Sequence, residues 1–65
     1  MKMYTCTKTF KTTLFDKEPT RIEVEEGSDW FLAKKLKDDR VVLCNNKIEL
    51  IVANGILKDH FRQWG

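Results

Sequence analysis

The sequence predicts an all-β, β-dominated fold: a small five-stranded antiparallel sheet curled into a barrel, followed by a short C-terminal helix. Three observations carry that expectation. Apolar and polar residues alternate with a period of two over most of the first 53 positions. Turn signals at 16–19, 27–29, 37–40 and 45–46 punctuate the chain at intervals of about ten residues, the spacing of short strands. A helical period begins only after Asn54-Gly55. A chain of 65 residues hides only about 60% of its unfolded surface. Curling gives both faces of so small a sheet something to pack against.

The first strand is expected from about residue 3 to 15. Tyr4, Cys6, Phe10, Thr12 and Leu14 fall on one face, Thr5, Thr7, Thr9, Lys11 and Thr13 on the other, and Lys8 is the one charge on the apolar side. Asp16-Lys17-Glu18-Pro19 ends it, because proline lacks a ladder donor and fixes its own φ. Residues 20–26 alternate again, with Ile22 and Val24 inward, until Gly27-Ser28-Asp29 breaks the run. In the third strand, 30–36, Trp30, Leu32 and Leu36 share one face, and Phe31 and Ala33 the other. Lys37-Asp38-Asp39-Arg40 turns the chain into Val41-Val42-Leu43-Cys44. Asn45-Asn46 then reads as a two-residue hairpin loop, since asparagine tolerates left-handed backbone. Residues 48–53 are apolar on both faces except at Glu49, which suits an enclosed strand. Ile56, Leu57, Phe61 and Trp64 sit at helical spacing, a helix of about nine residues docked through Phe61. The expected core is Phe10, Leu14, Ile22, Val24, Trp30, Leu32, Val42, Leu43, Ile48, Leu50, Val52, Leu57 and Phe61.

With 34% charged, 42% hydrophobic and 11% aromatic residues, residues 1–65 read as one small globular domain rather than a disordered segment. The net charge of +2 is far below that of a dedicated nucleic-acid binder. Its distribution is uneven: 1–15 carries three lysines and no acid, 16–29 has a net charge of −4, and 30–65 a net charge of +3. Cys6 and Cys44 are the only cysteines, and no apolar leader precedes them. The expectation is a cytoplasmic protein with reduced, buried thiols. No run approaches the roughly 18 apolar residues of a membrane span.

No catalytic or metal constellation stands out. Cys6, Cys44 and His60 lack the close spacing of a zinc clip. His60 is the only histidine, Ser28 reads as turn chemistry, and Glu23 and Glu25 as a solvated strand face. The expectation is therefore no enzyme, no metal and no cofactor. Two binding functions remain. The favoured one is a non-catalytic protein-interaction module with an unknown protein partner, its candidate interface residues being Phe15, Phe31 and Trp64. Whether Phe31 and Trp64 are core or surface stays open on the sequence. The alternative is weak, sequence-tolerant nucleic-acid binding through Lys34, Lys35, Lys37 and Arg40, with Lys8 and Lys11 nearby and Trp30, Phe31 or Tyr4 as stacking faces.

The order of a strand, Gly27-x-x-Trp30, a charged turn, Val41-Val42-Leu43, Ile48-Glu49-Leu50 and Leu57-x-x-x-Phe61 resembles small uncharacterised proteins of phages and mobile elements of Gram-positive bacteria. Several of these look like Src-homology-3-like barrels. The resemblance spans roughly residues 20–62 and implies a fold and a genomic setting, with no activity. Peptide-binding Src-homology-3 domains end in a Pro-x-x-Tyr segment. This chain has Ile56-Leu57-Lys58-Asp59-His60-Phe61 there, which argues against recognition of proline-rich peptides.

Overall fold

A computed structural model describes residues 2–15 and 19–65, with only the backbone of Phe15 included. These residues form two antiparallel sheets and one short helix, a β-dominated fold as expected. In chain order the strands are β1 (Met3–Cys6), β2 (Phe10–Phe15), β3 (Pro19–Val24), β4 (Asp29–Lys35), β5 (Arg40–Cys44) and β6 (Glu49–Ala53). Helix α1 (Asn54–His60) and strand β7 (Phe61–Gln63) complete the chain. The larger sheet has the order β6-β5-β4-β1-β7, and β2 and β3 form a separate hairpin.

The long first strand expected at 3–15 is two strands. Continuing the alternation through Lys8 would drive its ammonium between Cys6 and Phe10, and an unpaired charge is not buried there. The chain instead leaves the sheet over the exposed residues Thr7 to Thr9. The Thr7 N–H donates to the His60 carbonyl (2.6 Å) and the Cys6 thiol to the Lys8 carbonyl (3.1 Å). Most of the expected turn at 16–19 lies outside the described residues.

Gly27 closes the next turn at φ 90°, a left-handed conformation open to glycine without strain. Its N–H donates to the Cys6 carbonyl (2.8 Å) and the Cys6 N–H to the Ser28 carbonyl (2.9 Å), so the turn returns the chain beside β1. Between β4 and β5 the Leu36 N–H meets the Arg40 carbonyl (2.8 Å), and Asp39 takes the left-handed position, φ 63°. The loop between β5 and β6 works differently from the expected left-handed Asn45-Asn46 pair: Asp39 is the one non-glycine with positive φ among the described residues. Asn45 instead pairs with Ile48, and its side-chain oxygen accepts the N–H groups of Lys47 (2.8 Å) and Ile48 (2.9 Å).

The helix expected to run through Trp64 stops at His60. Phe61 to Gln63 run extended along β1, with Cys6 opposite Phe61 and Tyr4 opposite Gln63. A seven-residue helix with no side-chain cap has little stability of its own. Pairing the last residues with β1 satisfies backbone groups that would otherwise form a bare edge. Strand β6, expected to be enclosed, is an edge strand whose hydrogen-bonded neighbour is β5. Its burial alternates: Leu50 and Val52 are buried, and Glu49, Ile51 and Ala53 exposed.

The inner face of the larger sheet carries Tyr4, Cys6, Trp30, Val41, Leu43, Leu50, Val52 and Phe61, packed against Val24 of the hairpin and Leu57 of the helix. Leu43 and Leu50 face each other across β5 and β6 with no exposed surface. Of the expected core, Phe10, Ile22, Leu32 and Ile48 are half-buried flanks of this cluster and Leu14 is half-buried near the edge. Cys6 and Cys44 are buried, as expected of the thiols, and Tyr4 and Val41 are buried outside the expected core set. We expect Leu50→Ala to lower the unfolding free energy by about 2–5 kcal/mol in urea titrations, because a fully buried site cannot collapse around the lost methyls.

Candidate interaction surface

The outer face follows from register. Met3 pairs with Phe31, Phe31 with Cys44, and Cys44 with Glu49, so these side chains form one row across β1, β4, β5 and β6. Tyr4 hydrogen-bonds the Gln63 side chain on the inner face (3.4 Å), so alternation carries Trp64 to the outer one. There the Trp64 N–H donates to the Met3 carbonyl (2.9 Å) and the Met3 N–H to the Gly65 carbonyl (3.0 Å). Two residues opposing one make a bulge that keeps them on the face of Met3. The row therefore reads Trp64, just beyond β7, then Met3, Phe31, Cys44 and Glu49 across β1, β4, β5 and β6.

A second row runs beside it: Lys34, Val42 and Ile51. A register shift between Leu32 and Lys34 sets this row, since Ala33 is the extra residue that lets Lys34 face Val42. Val42 and Cys44 are shielded by their neighbours at 9% exposure, and neither belongs to the inner cluster. Ile51 at 45% and Trp64 at 54% are the exposed large apolar residues among those described. Polar groups bound the patch beyond Met3 and Phe31, where Thr5, Asp29 and Arg62 align and the Thr5 hydroxyl donates to the Asp29 carboxylate (2.6 Å).

The structure thus brings Phe31, half-buried, and Trp64, exposed, onto one face, with Met3 between them. Phe15 pairs with Pro19 at the far end of the hairpin, and its side chain lies outside the described residues. Sequence reasoning missed Met3, Val42, Cys44 and Ile51 as members of this surface. The signal was the odd–even parity of each strand, read together with the bulge at Ala33.

The cations split differently. Lys34, Lys35 and Lys37 are exposed. Arg40 is held by Asp38 (2.7 Å), the one ion pair among the described residues, which lowers the Asp38 pKa through its hydrogen bond and raises that of Arg40. Trp30 and Tyr4 are buried in the core, so of the three aromatic stacking faces only Phe31 has exposed surface. The Trp30 indole N–H donates to the Ser28 hydroxyl (2.9 Å), which itself donates to the Glu25 carbonyl (2.6 Å).

Cys6 lies in the inner cluster and Cys44 on the outer face, so the two thiols are on opposite sides of the sheet. The His60 ring is tilted at 4.8 Å against Phe10, a flank of the inner cluster, and its buried Nδ1 has no hydrogen-bond partner among the described residues. No group of three metal-binding side chains assembles among the described residues. No described helix is long and apolar enough to cross a membrane. Comparison with family models, with curated proteins and with solved structures gives no match for the chain.

Burial pushes both thiols up, with the Glu26 carboxylate adding to the effect at Cys6 and Glu49 at Cys44. A thiol raised in the fold is lost more readily as a proton from the unfolded chain. Its contribution to stability is therefore complete below the unfolded value of about 8.5 and falls as pH rises above it. We expect unfolding free energy to decline above about pH 8.5, and the Cys6→Ala, Cys44→Ala double variant to show a flatter slope over the same range. Urea titrations at several alkaline pH values would measure both.

Proposed function

We propose that the chain is a non-catalytic protein-interaction module on an Src-homology-3-like barrel, of the kind carried by phages and mobile elements of Gram-positive bacteria, acting in the cytoplasm. The hairpin packs on the inner face of the larger sheet and brings Thr13 and Leu14 of β2 beside Glu49 and Ile51 of the edge strand β6, which supports a curled, barrel-like arrangement. Free thiols on opposite faces suit a reducing compartment.

The observation that carries the interaction reading is the apolar row Trp64, Met3 and Phe31, which lies outside the buried core. An exposed indole beside half-buried apolar neighbours, rimmed by polar groups, matches the anatomy of a binding patch. The groups best suited to chemistry are occupied structurally. Ser28 holds a turn and Trp30, and the His60 ring packs on Phe10. A photo-cross-linking residue at position 64 should capture a protein partner. Phe31→Ala should reduce capture about tenfold or more, a hot-spot effect, while Thr7→Ala, away from the patch, should leave it unchanged. Equal capture by all three would remove the reading.

The exposed ammonium groups of Lys34, Lys35 and Lys37 favour one second reading, sequence-tolerant nucleic-acid binding beside Phe31. Three phosphate contacts would give a log–log salt slope of about −2 to −3 in a titration with single-stranded or duplex DNA. A flat response would exclude it.

A further inference from the structure

We propose that the outer face pairs with a second copy of this chain across a two-fold axis running from Phe31 to Ile51. The inference rests on the interaction reading above and names its partner.

Four side chains mark the corners of a rough square on β4 and β6, with β5 between them. Phe31 and Glu49 lie in one row, and Lys34 and Ile51 in the next. Phe31 and Ile51 therefore occupy one diagonal, and Lys34 and Glu49 the other. Val42 and Cys44 fill the middle without a polar group to desolvate. Strands two apart lie about 10 Å from each other, and residues two apart on one strand about 7 Å, so the sides are of similar length.

This pattern is self-complementary in one arrangement. A two-fold axis lying in the interface along the Phe31–Ile51 diagonal stacks each of these side chains on its own copy. It crosses the two sheets at a steep angle, one of the two favoured ways for sheets to pack. It also sets Lys34 of each copy opposite Glu49 of the other. An axis along the strands would instead place Lys34 against Ile51 and Glu49 against Phe31, leaving both charges over apolar groups. Lys34 and Glu49 are exposed and neither takes part in the ion pair of the described residues, so both are available.

The area sets the strength. Five strands at about 4.8 Å and two side-chain rows about 7 Å apart make a patch of roughly 24 by 14 Å, on the order of 300–400 Å² and short of the about 800 Å² per partner of a standard interface. The dimer is accordingly weak, dissociating in the range of tens to hundreds of micromolar.

Sedimentation equilibrium of the full chain from about 10 μM to about 1 mM tests this. The wild type should show a reversible monomer–dimer equilibrium that weakens with added salt. Ile51→Arg, at an exposed site that leaves the fold intact, should abolish it. Glu49→Lys and Lys34→Glu should each weaken it about tenfold, and the two together should restore it, because the reversal re-creates both pairs. A wild type that stays monomeric throughout overturns self-pairing while the photo-cross-linking result still decides whether another protein is bound. A dimer that survives Ile51→Arg, or that the double reversal fails to restore, overturns the proposed geometry.

Discussion

The contact between Leu43 and Leu50 is the constraint on which the architecture depends. Both side chains are excluded from solvent, on β5 and the edge strand β6 of a sheet that, among the described residues, a two-stranded hairpin and a seven-residue helix cover. Burying each is worth about 1.5–3 kcal/mol, a large share of the margin available to a chain of this size. That burial requires the hairpin to swing over the inner face and deliver Val24. The exit at Lys8 and the turn at Gly27 serve this geometry, and both are tied to Cys6 by hydrogen bonds. The final strand has a similar role: by pairing with β1 it seats Phe61 against Phe10 at 5.8 Å and closes the open side of the core.

A two-layer arrangement of this kind uses one face of the sheet. The opposite face remains, and most small domains make it polar. Here its middle is Met3, Phe31, Val42, Cys44 and Ile51. Strand β5, between β4 and the edge strand β6, is consequently buried on both sides at Val41, Val42, Leu43 and Cys44, although only Val41 and Leu43 belong to the cluster that holds the fold shut. Val42 and Cys44 are covered by their neighbours, and the apolar surface this face leaves exposed is that of Ile51 and Trp64, with part of Phe31.

Most of the strands were legible because alternation is a local signal. Parity and turn positions point Val24, Trp30, Leu50 and Val52 inward, and each is buried, as are the adjacent expected core residues Val42 and Leu43. What was not legible depended on position in the sheet. Residues 48–53 look enclosed because Ile48, Leu50, Ile51 and Val52 are all apolar, and only the strand order makes β6 an edge with Ile51 outside. Leu57, Phe61 and Trp64 fit a helix as well as they fit a turn followed by a strand, and the open edge of β1 decides between them. The candidate surface was half visible. Phe31 and Trp64 stood out as aromatics without an assigned role, but their meeting through Met3 depends on β1 lying between β4 and β7. That neighbourhood joins residues about 30 and 60 positions away in sequence, beyond the reach of any local pattern.

The central claim is that the sheet has one face that holds the fold together and one apolar face left open. Paramagnetic relaxation by a soluble spin probe, read on side-chain protons in dilute solution where the chain is monomeric, measures this directly. The account expects strong relaxation at Ile51 and Trp64, intermediate relaxation at Phe31, and little at Leu43, Leu50 and Val24. Protection of Ile51 and Trp64 equal to that of Leu43 would contradict it, because the outer face would then be part of the core.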